Sequence, residues 1–174
     1  MKHSIIILAH NIRSLWNIGS LFRSSDAFGV SHIHLTGYTA APPRMEIGKT
    51  ALGADEWIPW SKDLDPVKVI EQRRKEGFRI VALELKEGSI PLQDFTVSCR
   101  INSAANRCQE IQANSHQETR FPICLILGHE ILGVPDELIK LADDIVSIPM
   151  GGRKNSLNVS VAAGIALFHF RCCY

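Results

Sequence analysis

Short apolar runs alternate along the chain with segments whose apolar residues recur at helical spacing. Runs rich in Ile, Val and Leu that lack a polar face are typical of strands buried on both sides. The predicted strands are 4–9, 32–36, 57–60, 79–85, 123–127 and 144–148. The alternation predicts an α/β fold with a mostly parallel sheet and helices on both faces.

Helical periodicity and end signals place helices between and after these strands. One helix opens at Asp65 and Pro66, a cap followed by proline in the first turn, and ends before Gly77. The other predicted helices are 16–28, 45–52, 135–142 and 156–171. The last is apolar almost all round, so we expect the sheet, a partner, or both to cover it.

The composition is that of one ordinary globular domain. The chain has 174 residues, of which 45% are hydrophobic and 21% charged, which argues against disordered, collagen-like and membrane classes. We therefore expect a single domain over 1–174, with a flexible insertion at 99–119, where the sequence is polar and unperiodic. No apolar stretch approaches the roughly 18 residues of a membrane span, and we expect a cytoplasmic protein with no membrane partner.

Charge and cysteine content exclude little. The formal net charge is +1, so any affinity for nucleic acid must come from a local basic patch. Five cysteines, an odd number without metal-ligand spacing, favour reduced thiols.

Common nucleotide and metal motifs are absent from the sequence. No G-x-G-x-x-G follows a predicted strand, and "GGRKNS" at 151–156 lacks the spacing and the Gly-Lys-Ser/Thr ending of a phosphate loop. No Gly-x-Ser-x-Gly or His-Glu-x-x-His occurs, and the seven histidines are scattered. No metal ion is expected.

Polar residues instead gather after three predicted strands. After 4–9 come Asn11, Arg13, Asn17, Gly19 and Arg23, after 123–127 comes "LGHEILGVP", and after 144–148 comes "IPMGGRKNSLNVSVAAGI". Because open α/β sheets bind ligands at the carboxyl ends of their strands, we expect these clusters to converge on one edge.

Several of these residues have plain structural explanations. Asn17 and Ser156 are equally well explained as helix caps, and Glu130 taken alone as a solvated charge. Arg23 lies six residues after Asn17, outside the rows that pair along a helix. Asn158 falls two residues into the apolar last helix, where an amide costs stability unless it is hydrogen-bonded. Asn158 is thus the strongest single anomaly.

Taken together, the motifs N-x-R-x-x-x-N-x-G-x-x-x-R, L-G-x-E-x-x-G-V and I-P-M-x-G-x-x-x-S-L-N-V-S-V-A closely resemble those of the SpoU (TrmH-like) branch of the SPOUT RNA methyltransferases. The resemblance covers nearly the whole chain, in order and spacing. One departure is His129, where many relatives carry asparagine.

The resemblance implies a C-terminal deep trefoil knot and a homodimer through the last helix. It also implies S-adenosylmethionine bound in a bent form within the knot and released as S-adenosylhomocysteine. The cofactor would be held largely by the backbone of Leu83, Glu84, Leu127, Gly128, His129, Ile148, Pro149, Met150, Gly151, Ser156, Leu157 and Asn158.

The resemblance also implies methyl transfer to a ribose 2′-hydroxyl, with Arg23 as the catalytic arginine. Because a guanidinium stays protonated, we assign Arg23 to phosphate binding and hydroxyl orientation rather than to a base. Asn17 would orient the same site, Glu130 would fix the arginine geometry, and Ser156 with Asn158 would hold the hydroxyl or the knot loops. The predicted RNA contacts are Asn11, Arg13, Arg23, Arg44, Lys49, Arg153 and Lys154.

The sequence therefore predicts an S-adenosylmethionine-dependent RNA ribose 2′-O-methyltransferase. Transfer RNA is favoured over ribosomal RNA, because almost nothing precedes the first strand where many ribosomal-RNA members carry an extra domain. The alternative is a non-catalytic RNA-binding or ribosome-assembly factor with the same fold, against which the complete set of five catalytic candidates argues.

Overall fold

The computed structural model describes residues 4–95 and 121–172, so the predicted insertion at 99–119 lies outside the described residues. The elements in chain order are β1 (Ile5–His10), α1 (Leu15–Ala27), β2 (His32–Thr36), α2 (Met45–Ala51), α3 (Ala54–Trp57), β3 (Trp60–Asp63), α4 (Pro66–Lys75), β4 (Arg79–Leu83), β5 (Ile90–Pro91), β6 (Ile123–Leu127), α5 (Asp136–Ile139), β7 (Asp144–Ser147) and α6 (Val159–Cys172). A single 3₁₀ turn at Leu92–Asp94 follows β5.

The sheet has seven strands in the order β3-β2-β1-β6-β4-β7-β5, and every recorded pairing is parallel. Helices cover both faces. Residues of α1, α2 and α6 pack against Ile5 and Ile7 on one side, and residues of α4 and α5 pack against Ile6 and Leu8 on the other. The predicted α/β class and parallel sheet are confirmed, whereas the trefoil knot stays a prediction.

The predicted strand at 57–60 is wrong. Residues 54–57 form the short helix α3, and β3 begins only at Trp60 and continues through polar residues to Asp63. The apolar Ile58 follows this helical turn and is buried in the core. Because β3 is an edge strand, one side of it has no neighbour in the sheet, and its sequence need not be apolar.

The last two helices differ from their predicted limits: α6 begins later than predicted, and α5 is shorter than predicted. The α6 helix begins at Val159 rather than at 156, because Asn158 accepts a hydrogen bond from Ser160 N at 2.9 Å and so caps the helix. Asn158 therefore precedes the helix instead of lying inside it. The α5 helix is a single turn, Asp136–Ile139, where 135–142 was predicted.

The α6 helix buries only one of its apolar faces. Ala163, Ala166, Leu167 and Phe170 pack into the core, whereas Val161, Ile165 and Phe168 on the opposite side are 40–53% exposed. The core of one chain thus covers one side of the helix, and coverage of the other side by a partner stays a prediction. No helix in residues 4–95 or 121–172 combines the length and apolar character of a membrane span.

A buried histidine cluster lies between β2, β3 and α4. The His34 ring is hydrogen-bonded through Nδ1 to Asp63 Oδ2 at 2.8 Å, while Arg73 Nε donates to its Nε2 at 3.2 Å. Since Nε2 accepts, Nδ1 carries the proton and donates to the carboxylate. Burial is the largest influence on the pKa of His34 and lowers it, and although Asp63 acts to raise it, the net pKa is lowered. Burial also lowers the pKa of His32 and His10.

We expect the protein to lose stability as the pH falls below about 6.5, the ordinary pKa of histidine. The three rings resist protonation in the folded protein but accept protons in the unfolded chain, so acid favours unfolding. Urea unfolding midpoints measured between about pH 5 and pH 8 check this. The His34→Asn variant keeps a donor for Asp63 but does not titrate at this position. Its urea midpoint should therefore change less with pH than that of the parent protein. Midpoints that stay constant across this range would contradict the assignment.

Candidate active site

The sheet topology brings the three polar clusters to one edge. In the sheet β1 is a neighbour of β6, β6 of β4, and β4 of β7, all with the same direction. Their carboxyl ends are followed by Asn11, Gly128, Glu84 and Ile148. The convergence predicted from the sequence is therefore seen in the structure.

The Glu130 carboxylate is the centre of this edge. Its Oε2 accepts from Arg13 N at 3.1 Å, and its Oε1 accepts from Ser14 N at 2.9 Å and from Asn17 Nδ2 at 3.0 Å. The backbone donors lie at the start of α1, where N–H groups lack intrahelical partners and the helix dipole favours a negative charge. Glu130 thus fixes the beginning of α1.

Asn17 carries this contact on to the third motif. While its Nδ2 donates to Glu130, its Oδ1 accepts from Asn158 Nδ2 at 2.9 Å. Asn17 is buried within the first turn of α1, and the cap of that helix is Ser14, whose hydroxyl accepts from Asn17 N at 3.3 Å. The capping alternatives for Asn17 and Ser156 are therefore wrong, since Ser14 and Asn158 perform those roles. The chain Glu130–Asn17–Asn158 joins all three motifs.

These contacts keep Glu130 ionised. Partial burial raises the pKa of the carboxyl, but hydrogen bonds from the Ser14 and Arg13 backbone and from Asn17 outweigh it, so the net pKa is lowered. A carboxylate that is ionised and already accepts three hydrogen bonds suits positioning better than proton transfer near neutral pH.

The turn after β6 is tightly packed against the neighbouring strand end. His129 and Gly133 exchange backbone hydrogen bonds, and His129 Nδ1 accepts from Ile131 N at 2.9 Å and Leu132 N at 3.1 Å. A Cβ on Gly128 would come within 2.3 Å of the Gly133 carbonyl, so this position requires glycine. Glu84 Oε2 accepts from Val134 N at 2.7 Å and braces the turn, a side-chain role that the sequence did not reveal.

A cavity of about 330 Å³ opens beside this turn, at the lower end of the range for small-molecule sites. Eight predicted cofactor residues line it: Leu83, Glu84, Gly128, His129, Ile148, Met150, Ser156 and Leu157. The predicted residues Leu127, Pro149, Gly151 and Asn158 are not among its lining residues. Glu130, which was predicted as a catalytic residue, also lines the cavity. The lining residues that were not predicted as site residues are Leu85, Ile131, Gly133, Ser147, Asn155, Val159 and Ala162.

The cavity walls fit S-adenosylmethionine. Leucine, isoleucine and valine side chains offer apolar contacts for an uncharged purine, and the backbone at the ends of three strands and in the 149–158 segment supplies hydrogen-bonding groups. The turn after β6 comes so close to its neighbours that only glycine fits at Gly128.

Across the described ranges, no group of three or more His, Cys, Asp or Glu is placed to hold a metal ion.

Arg23 is exposed on α1 and makes no hydrogen bond or ion pair with the residues that the structure describes. The expected contact between Glu130 and an arginine side chain is therefore not seen there. Arg23 lies eight residues beyond Leu15, which is about 12 Å along a helix, whereas the backbone donors at the helix start lie directly at Glu130. The free guanidinium remains available for a ligand.

The other predicted RNA contacts are mostly exposed. Arg13, Arg44, Lys49, Arg153 and Lys154 are all exposed. Asn11 is different, because it has a φ of 57° and its Oδ1 accepts from Tyr38 N at 3.1 Å. Its side chain thus braces the turn after β2.

Comparison with known proteins agrees with this geometry. The model of the SpoU rRNA Methylase family matches residues 4–168. A tRNA (guanosine(18)-2′-O)-methyltransferase of Aquifex aeolicus is 28% identical over 167 residues, which cover 96% of this chain and 68% of the relative. A 23S rRNA (guanosine-2′-O-)-methyltransferase of Vibrio parahaemolyticus is 25% identical over 94% of this chain and 57% of its own length.

Solved structures show the same fold. An AdoMet-bound rRNA methyltransferase from Sinorhizobium meliloti superposes with a TM-score of 0.80 at 27% identity, covering 98% of this chain. This chain spans 57% of that protein. The fold, the motifs and the matched family together show that the chain belongs to the SpoU methylase family.

Proposed function

We propose that this protein is an RNA methyltransferase that transfers the methyl group of S-adenosylmethionine to a ribose 2′-hydroxyl. The observation that carries the proposal is the hydrogen-bonded chain Glu130–Asn17–Asn158, which ties the three motifs together beside the cavity. A non-catalytic RNA-binding factor would have no need for this arrangement beside a cofactor-sized cavity.

S-adenosylmethionine supplies an electrophilic methyl group bonded to a sulfonium. Leu83, Ile148, Met150 and Leu157 line the cavity that would hold it. This chain's contribution is to position the ribose hydroxyl for an in-line approach, which can supply a large part of the rate acceleration.

Arg23 is proposed to bind the phosphate next to the target ribose and to orient its hydroxyl. A guanidinium remains protonated and offers a planar fork of donors, so it suits phosphate and cannot accept the hydroxyl proton. That proton would leave to the phosphate or to water. Asn17 and Glu130 are proposed to fix α1, and with it the helix face that carries Arg23, relative to the cavity.

The proposed substrate is a tRNA. This chain covers more than two thirds of the length of two relatives that are named tRNA (guanosine(18)-2′-O)-methyltransferase. Their names support tRNA over rRNA as the substrate. The exposed cations Arg13, Arg44, Lys49, Arg153 and Lys154 would contact RNA phosphates. We further propose a cytoplasmic location, where such RNA is modified.

The proposal is tested by incubating the purified protein with methyl-labelled S-adenosylmethionine and separate tRNA and rRNA pools. The expected result is label in tRNA at a nucleotide that becomes resistant to alkaline cleavage, as a 2′-O-methyl group makes it. Label in a base would contradict ribose methylation. Cofactor binding without transfer to either pool would favour the non-catalytic alternative.

We also propose a homodimer through α6. The exposed face formed by Val161, Ile165 and Phe168 is apolar, and an apolar face of this kind is stable when a second copy covers it. Phe168→Asp should convert the dimer to a monomer in light scattering. Leu64→Asp is the matched control, because Leu64 is 84% exposed outside this face, and it should leave the mass unchanged. A parent protein that is monomeric would refute the proposal.

A further inference from the structure

Two exposed aromatic side chains flank the candidate site, and none of the roles assigned so far uses them. Tyr38 is 57% exposed on the turn after β2, and Trp16 is 48% exposed in the first turn of α1. Both follow the carboxyl ends of the neighbouring strands β1 and β2, the edge that carries Asn11 and Glu130. Large aromatic surfaces left in water beside a ligand site are candidates for stacking.

Tyr38 is held by a rigid turn. Its backbone N–H donates to Asn11 Oδ1 at 3.1 Å, and Lys62 Nζ donates to the carbonyl oxygens of Gly37 and Thr39 on either side. Gly37 has a φ of 61°, and a Cβ there would lie 2.0 Å from Asn11 Oδ1. The ring meets His129 edge to face, with centroids 6.3 Å apart. The ring is therefore fixed beside the second motif while most of it stays open to solvent.

Trp16 is held in a comparable way. Thr50 Oγ1 donates to the Trp16 carbonyl at 3.0 Å, which ties the start of α1 to α2. Lys49 Nζ lies 5.8 Å from the ring centroid, a distance at which the ammonium is attracted to the ring face. An exposed ring with an adjacent cation can stack on a base while the cation contacts the neighbouring phosphate.

We infer that Tyr38 and Trp16 are stacking surfaces for unpaired bases next to the methylated ribose. The inference rests on the proposed function and assigns RNA contacts to two further residues of that same site. Bases inside a duplex have no free face, whereas bases in a loop can turn outward and stack on aromatic rings. Two exposed rings on one edge, with exposed cations at Arg13 and Lys49, match that chemistry.

The test measures binding of a short unpaired oligoribonucleotide and of the same sequence annealed to its complement. The parent should bind the unpaired strand more tightly. Tyr38→Leu and Trp16→Leu should each weaken that binding by about 5- to 100-fold, the range for loss of one stacked base. Their duplex binding should stay unchanged, because phosphate contacts dominate it.

Two control variants isolate stacking. Tyr38→Phe keeps the ring and should bind like the parent. Trp57→Leu removes a tryptophan that is also 57% exposed but lies on α3, just before the amino end of β3 on the far edge of the sheet, and it should have no effect. Cofactor affinity measured by calorimetry should be the same in all four variants.

Three results would overturn the inference. They are equal affinity of the parent for duplex and unpaired RNA, a Tyr38→Phe loss as large as that of Tyr38→Leu, and a changed oligomeric state in Tyr38→Leu, which would assign this surface to a subunit contact. Failure of the proposed function is separate, since it would appear as tight, ring-dependent binding of unpaired RNA without any transfer of methyl label.

Discussion

Arg23→Ala is expected to lower kcat/KM for RNA by about 100- to 1000-fold, the usual cost of removing one charged or polar group that stabilises a transition state. The free energy of unfolding should change by less than about 0.5 kcal/mol, because the side chain is exposed and unpaired within the part of the chain that the structure describes. Arg23→Lys should recover little activity, since an ammonium cannot reproduce the planar fork of donors.

The measurement is steady-state methyl transfer combined with urea unfolding and cofactor calorimetry. Cofactor affinity should be unchanged, because Arg23 does not line the cavity. Lys75→Ala is the matched control, since it removes one exposed positive charge at the end of α4, next to the amino end of β4 and so on the far edge of the sheet. If Arg23→Ala and Lys75→Ala lower the activity equally, Arg23 has only a general electrostatic role.

Asn17→Ala is expected to lower activity by about 100-fold or more, because a displacement of about 1 Å can have that effect on a positioned site. The substitution removes the donor to Glu130 and the acceptor of Asn158 together. It should also cost about 1–3 kcal/mol of stability, since the partner groups are left partly unsatisfied. Both effects should appear together.

Ser25→Ala on the same helix provides the comparison. Ser25 is buried, and among the described residues its hydroxyl has no hydrogen-bond partner, so its removal should preserve both activity and stability. The double variant Glu130→Gln/Asn17→Ala should lose less activity and less stability than the sum of the losses in the two single variants, because the two residues share one network. Fully additive losses would mean that the motifs act independently.

Much of the fold could be predicted from hydrophobic pattern alone. Strands buried on both faces, such as Ile123–Leu127, are continuous apolar runs. The predicted limits match the structure for His32–Thr36 and Ile123–Leu127, and they differ by one or two residues for Ile5–His10, Arg79–Leu83 and Asp144–Ser147. The edge strand Trp60–Asp63 could not be found in this way, because its polar sequence carries no such signal. The two-residue strand Ile90–Pro91 is too short for any periodic pattern.

The candidate site was predictable as a set of residues but not as a set of contacts. The sequence singled out Asn17, Glu130 and Asn158, yet only the structure shows that Asn17 joins the other two. Tyr38 carried no sequence signal, because its position depends on Asn11 and Lys62, residues that lie 27 and 24 positions away in the chain.

The network at Asn17 joins residues 113 and 141 positions apart, so the start of the chain meets its far end there. Contacts of such separation form late, because closing a long loop costs entropy before it gains any interaction. During translation, the Asn17 side chain therefore lacks its hydrogen bond from Asn158 until Asn158 has left the ribosome. Methyltransferase activity would then arise only in chains that have completed folding, and incomplete or misfolded chains would be inactive.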